Sequence, residues 1–306
     1  MRAYIIRRLM VALPVIFGVV TMVFLIVHLT PGDPVEIMLG ESAAVADRET
    51  LRRELGLDRP LVEQYAAFLG GVATFDLGKS LYTKKGVFAS IRDKYPATLI
   101  LALCSMAVAV AIAIPMGALA AAKKDTWVDR GSMFMSLIGV SMPSFWLGPL
   151  LILIFAVEFK WLPVSGMDSP ASIILPALTL GSAMAAILSR LTRSTMIEAL
   201  GEDFISTARA KGVKERAVLF RHALANALLP VTTVAGLQLG AMLAGAVITE
   251  TIFAWPGLGR LTIQAINARD YPLIQGCVLT IAVSYVLVNL LVDVMYAVID
   301  PRVRRR

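Results

Sequence analysis

Six stretches of this chain run for 18 residues or more without Asp, Glu, Lys or Arg. A helix needs roughly 20 apolar residues to cross about 30 Å of hydrocarbon, so each is long enough to span a bilayer. The spans predicted from them cover about residues 9–29, 97–122, 131–157, 171–189, 228–253 and 273–299. Composition agrees: 58% of the 306 residues are hydrophobic and only 17% charged, too little polar surface to enclose one soluble core. The expected fold class is an all-α polytopic membrane protein with six transmembrane helices. The first run follows Arg2, Arg7 and Arg8 like a secretory signal. Its apolar part, however, is about twice a typical signal core and ends in His28-Leu29-Thr30-Pro31-Gly32-Asp33-Pro34 without a small-x-small cleavage site, so it is expected to stay as an anchor.

Six spans put both termini on one side of the membrane, and Lys/Arg bias chooses which. Of the 29 Lys and Arg, 17 fall on the side of the N-terminus and 12 on the other, nine of these 12 within the long 30–95 segment. A segment of that length translocates with little regard to its charge. Both termini are therefore expected to be cytoplasmic. The net charge of +7 then belongs to span flanks facing anionic lipid or an acidic partner, not to a nucleic-acid surface, which would interleave aromatic residues.

Outside, residues 30–95 read as a small helical segment. Leu51 and Leu55 repeat at helical spacing up to Gly56; Leu61, Tyr65, Phe68 and Leu69 mark a second helix expected to stop at Gly70-Gly71. Gly78-Lys79-Ser80 imitates part of a phosphate-binding loop, but Ala73 stands where that loop needs its first glycine, and no buried strand precedes it. ATP binding by this chain is rejected. Inside, Glu198 to Gly212 reads as a short helix with acids early, bases late and a terminal glycine, and a second helical stretch from Val213 leads through Val218, Leu219 and His222 into the fifth span. Such an elbow projecting from a bundle has the geometry of a docking element, although a solvated loop would show the same pattern.

The elbow residues, Phe204-Ile205-Ser206-Thr207-Ala208-Arg209-Ala210-Lys211-Gly212 and then His222-Ala223-Leu224-Ala225-Asn226-Ala227-Leu228-Leu229-Pro230, resemble the cytoplasmic coupling loop of ABC importer permeases of the dipeptide, oligopeptide and nickel group. Three further blocks resemble the same family in the same order. These are Ile6-Arg7-Arg8 with Pro31-Gly32-Asp33-Pro34; Asp76-Leu77-Gly78-Lys79-Ser80; and Glu250-Thr251-Ile252-Phe253 with Trp255-Pro256-Gly257-Leu258-Gly259 and Arg269-Asp270-Tyr271-Pro272. The general coupling motif of ABC permeases begins Glu-Ala-Ala; the matching Ser206-Thr207-Ala208 departs from it as the peptide group usually does.

The resemblance implies a type I importer permease fold in the bacterial inner membrane, with the coupling loop at 190–227. It implies a second, homologous permease as heterodimer partner, one or two cytoplasmic ATPase subunits that bind the ATP and Mg, and an extracytoplasmic solute-binding protein. The chain itself would be a non-catalytic conduit without a cofactor. Its implied coupling residues are Glu202, Asp203, Phe204, Thr207, Ala208, Arg209, Ala210, Lys211 and Gly212, with Phe204 as apolar anchor and Arg209 and Lys211 as polar contacts. Lipid head groups compete for the two bases.

Polar groups at membrane depth are candidates for the transport pathway because burying them in lipid is costly. They are Gln238 and Glu250 in the fifth span and Asn289 and Asp293 in the sixth. Glu250 can face a substrate amine or the outer loop. Asp293 can be a gate or an interfacial carboxylate. Gly236 and Gly240, four residues apart, read as helix packing, and Pro115, Pro143 and Pro149 as interruptions that spans tolerate. His28 and His222 stand apart from any metal-ligand cluster, and Cys104 and Cys277 lie in apolar runs. An ATP-driven importer of di- or oligopeptides is the leading expectation; nickel or glutathione import is the alternative within the family. An ion-driven secondary transporter is the alternative from another class, but it calls for an internal repeat that is not visible.

Overall fold

The computed structural model describes residues 2–29, 35, 45–54 and 56–299. Within them run α1 (Arg2–Leu29), α2 (Val45–Glu54), α3 (Leu61–Thr74), α4 (Val87–Ala122), α5 (Trp127–Ser141), α6 (Ser144–Leu151), α7 (Ile174–Leu200), α8 (Asp203–Ala210), α9 (Leu224–Ile252), α10 (Leu258–Asn267) and α11 (Tyr271–Ile299). Among the described residues, strand pairing is limited to one bridge, Lys79 with Gly86.

Five stretches, containing α1, α4, α7, α9 and α11, are each long and apolar enough to cross a membrane; α5 and α6, the latter continued to Glu158 by a π-helical stretch (Ile152–Glu158), make a sixth crossing bent by 103°. The bend has a local cause. Pro143 offers no N–H to the preceding turn and holds Met142 in an extended conformation (φ −82, ψ 116), as the residue before a proline must be. The 131–157 run is therefore a broken span and not one straight helix. Pro115 and Pro230, by contrast, sit inside α4 and α9, both continuous.

Side-chain registers show how the crossings alternate. Gly181 of α7 lies against the Ser105 carbonyl of α4, and Gly117 of α4 against Ser189 and Thr192 of α7. Residue numbers rise together, so α4 and α7 run parallel and the chain must recross between them, which the bent pair does. These approaches need glycine: a Cβ at Gly181 would stand 2.6 Å from the Ser105 oxygen. Helix α5 runs antiparallel to α7, with the Ser136 and Ser189 hydroxyls 2.7 Å apart. Helix α9 opposes α4, where Trp255 just beyond it donates its indole N–H to the Ala97 carbonyl at 2.9 Å. Helix α11 parallels α4, with Tyr95 Oη 2.8 Å from Ser284 Oγ, and α1 opposes α11, where Gln275 reaches the Val23 carbonyl. Residues 2 and 299 thus lie at the same end of the bundle as the elbow.

At the opposite end, α3 rests on α1 through Tyr65 and Phe68 against Phe24, at ring distances of 5.1 and 5.7 Å. It runs through Gly70-Gly71 instead of stopping there. The stop comes at Phe75, in the left-handed conformation, where the Asp76 N–H bonds back to the Gly71 carbonyl at 2.8 Å. Gly71 is needed because a Cβ would strike the Asp76 carbonyl, not because it ends the helix. The Leu55 position, the Pro31 to Pro34 block, the His28 side chain and the arginines after residue 299 lie outside the described residues.

The imitation loop has a structural role. Ser80 donates its hydroxyl to Asp270 Oδ2 at 2.5 Å, while Asp270 Oδ1 accepts the Leu273 N–H at the start of α11. This joins two blocks of the resemblance, Asp76 to Ser80 and Arg269 to Pro272, in one buried contact at the bundle's outer end.

Candidate functional site

The candidate coupling residues gather in the elbow, and the candidate pathway residues are spread along α9 and α11. The elbow helix is shorter than expected. Glu198 to Leu200 are the last residues of α7, Gly201 and Glu202 form the turn, and α8 begins only at Asp203. Glycine at the junction weakens helix propagation, and the acids Glu202 and Asp203 then sit where the positive end of the α8 dipole favours them.

Ile205 and Ala208 are buried in a floor built from Ala118 and Ala121 of α4, Met196 and Ala199 of α7, Val218, Ala223, and Ala227 of α9. Ala208 therefore faces the bundle and offers nothing to a partner. Phe204 is 40% exposed beside them, an apolar ring presented outward from a helix otherwise seated by its apolar face. Ala210 and Lys211 are exposed, Thr207 caps back onto the Asp203 carbonyl at 3.0 Å, and Gly212 takes φ +76, which closes the helix and strains any other residue. Arg209 is engaged within the elbow: both of its terminal bonds go to Glu215, the shorter at 2.7 Å.

The Arg209 guanidinium holds the Glu215 carboxyl below the usual carboxylate range, and Glu215 raises Arg209. A depressed acid contributes stability above its unfolded pKa, near 4.5, and loses it as pH falls through the folded value. Amide-exchange protection of α8 is accordingly expected to be flat from about pH 8 to pH 5 and to decline below. Glu215→Gln should lower the protection at neutral pH and flatten the acid limb. An acid decline unchanged in the variant would rule the pair out as its cause.

The four pathway candidates separate. Glu250 is fully buried at the outer end of α9. Its carboxyl accepts the Thr98 hydroxyl at 2.6 Å and the Arg260 N–H at 2.9 Å, while Thr98 Oγ1 accepts the Leu258 N–H at 2.7 Å. Glu250 thereby pins the first turn of α10 to α4, and a Cβ on Gly257 would overlap its carboxyl. Gln238 is half-buried on α9. Asn289 and Asp293 share an apolar groove of about 630 Å³ between α1 and α11, where Asp293 pairs with Arg8 at 2.8 Å. Gly240 lets α11 approach so closely that a Cβ would lie 3.3 Å from Asn289 Oδ1, and Gly236 does the same for Val292.

Several residues that shape these sites carry little sequence signal. Phe220, 53% exposed in the elbow, has no helical partner to mark it. Thr98 is one hydroxyl in a long apolar run. Asp129, buried, and Arg193, half-buried and 64 positions away, form a bidentate pair at 2.5 and 2.6 Å. The one available signal for that pair is an acid placed two residues before the apolar third run.

Comparison with known proteins adds to this geometry. The profile of the binding-protein-dependent transport system inner membrane component matches residues 113–305, and that of its N-terminal part matches residues 1–102. The chain is 43% identical to the dipeptide transport system permease protein DppB of Escherichia coli (strain K12), over all of both chains. It is 45% identical to the glutathione transport system permease protein GsiC of Pectobacterium atrosepticum, over 98% of each. Among solved structures, the inward-facing MetNI methionine ABC transporter superposes with a TM-score of 0.55 at 19% identity, over 69% of this chain and 96% of the other. That similarity is one of fold.

Proposed function

The chain belongs to the family of binding-protein-dependent transport system inner membrane components, and from that premise we propose that it is the permease for di- and oligopeptides in an ATP-driven importer. The observation that carries this reading is the end-to-end similarity to a dipeptide permease, joined to an elbow whose helix seats Ile205 in the bundle and presents Phe204 outward. As a multi-pass membrane subunit of an ABC importer it works with ATPase and solute-binding partners. ATP and Mg are held by the ATPases, two homologous permeases pair around the pathway, and α8 docks in an ATPase cleft. Closure of that cleft pushes the floor under α8 and rocks the bundle between two access states. Glutathione is itself a peptide, so the similarity to a glutathione permease keeps it as the second candidate substrate.

The test is to purify the tagged chain from its native membrane and reconstitute what accompanies it. Recovery of a second permease and one or two ATPases, with ATP-dependent uptake of labelled dipeptide that excess unlabelled dipeptide suppresses more strongly than glutathione, is the expected result. Suppression chiefly by glutathione would move the assignment to that substrate, and a chain recovered alone would defeat the importer reading.

The elbow end is the cytoplasmic one in this reading. A cysteine replacing Leu61, 58% exposed on α3, should react with an impermeant thiol reagent in intact cells, and one replacing Lys214 should not. The opposite labelling would invert the orientation.

A further inference from the structure

The floor under α8 contains residues of α4, α7 and α9, and among the described residues none from the bent α5–α6 span. A push on α8 therefore reaches three spans directly, and the bent one only through what fastens it to them. At the elbow end the charged part of that fastening is the Asp129–Arg193 pair. Asp129 is 3% exposed, both of its carboxyl oxygens are taken by the Arg193 fork, and Oδ2 also accepts the Asp125 N–H at 3.0 Å from the turn between α4 and α5. Arg193 lies on α7 one turn before Met196, which is part of the floor. Beyond the pair, α5 meets α7 through uncharged contacts, the buried Ser136–Ser189 hydroxyls and Gly139 against Ala186.

The far end of the same span bears on the outer mouth. Gly148 of α6 packs against Ile252 and Phe253, where α9 ends, and the Gly166 N–H bonds to the Phe253 carbonyl at 2.9 Å. Phe253 is three residues from Glu250, which pins α10. An interaction at Asp129 is thus placed to carry movement of the elbow, across the bend at Met142-Pro143, to the outer closure. Burying an ion pair is a poor way to gain stability compared with apolar packing, and its best-attested use is to fix one arrangement against others.

We propose that Asp129 and Arg193 are positioning residues that transmit elbow movement to the bent span, so that breaking the pair uncouples ATP hydrolysis from transport. The proposal rests on the docking of an ATPase at α8, and its test separates the two. In proteoliposomes holding the complete transporter, ATP hydrolysis, dipeptide uptake and subunit content are measured for Asp129→Asn, which keeps size and an acceptor, and for Arg193→Lys, which keeps charge but loses the fork. With the ATPases retained and hydrolysis preserved, uptake per ATP should fall roughly tenfold, within the range of typical coupling factors. Asp129→Arg combined with Arg193→Asp should recover part of that loss. Unchanged uptake per ATP in both single variants would overturn the proposal. Loss of the ATPases from both would also overturn it, because the pair would then govern assembly and not transmission. If altering Phe204 leaves the ATPases bound and transport intact while Asp129→Asn uncouples, docking at α8 is what fails.

Discussion

Replacing Phe204 by aspartate is expected to abolish uptake while the chain still inserts and folds. At 40% exposure the ring holds up little of this chain's own core, so its loss is nearly free in the isolated subunit. In the complex, an apolar anchor that fills a partner's cleft typically carries 2 kcal/mol or more, up to about 4, and a buried carboxylate in its place adds a desolvation cost. The ATPase should therefore dissociate from the purified complex, with binding weakened about 30-fold or more at 2 kcal/mol. Ile205→Asp supplies the contrast, since Ile205 is fully buried in the floor and its replacement should unfold the elbow itself, visible as lost amide protection across residues 203–223. If Phe204→Asp retained its ATPases and wild-type uptake, the elbow would be a solvated loop and nothing more.

Glu250→Leu is expected to damage the outer end as severely. Leucine is close in size, but it leaves the Thr98 hydroxyl and the Arg260 N–H without the acceptor they share. Each buried donor left without a partner costs about 1–3 kcal/mol, together a large fraction of a typical folding stability. The loss should fall on α10 and the turn before it, read as protease sensitivity between residues 254 and 268 in the purified chain. Glu250→Gln retains one acceptor and should be milder. Gly257→Ala should mimic the leucine variant from the other side by driving a methyl group into the carboxyl. If Glu250→Leu kept full protection but lost uptake, Glu250 would belong to the pathway and not to the scaffold.

The crossings were legible because hydrocarbon imposes its demand on composition alone: an apolar run of sufficient length declares itself whatever it packs against. Their shape was not equally visible. The third run looks like the others, and only the backbone around Met142 and Pro143 distinguishes a break from the tolerated prolines at 115 and 230. The end of α7 is not visible in the sequence because Glu198 to Leu200 carry the charge pattern of the next helix, while what separates them from it is the turn at Gly201 and Glu202. Phe204 could be nominated from the resemblance. That Ala208 points inward while Arg209 is held by Glu215 depends on where the floor lies, and the floor is assembled from residues more than a hundred positions apart. The Asp129–Arg193 pair and the Ser80–Asp270 contact are of the same kind: each partner alone reads as an ordinary polar residue near a membrane surface.

The broken third span also bears on how the protein is made. At 1.5 Å per residue, the 15 residues of α5 rise about 22 Å, short of the roughly 30 Å that an independent crossing needs, and the second arm, from Ser144 to Glu158, is no longer than the first. Neither half alone is long enough to cross lipid as a straight helix, so the two arms depend on a neighbour to keep their bent arrangement. Helix α7, which brings Arg193 and the small faces of Ser189 and Ala186, is synthesised afterwards. The third crossing is therefore expected to hold its bent shape only once the fourth is beside it, with Ser189 and Ala186 against Ser136 and Gly139.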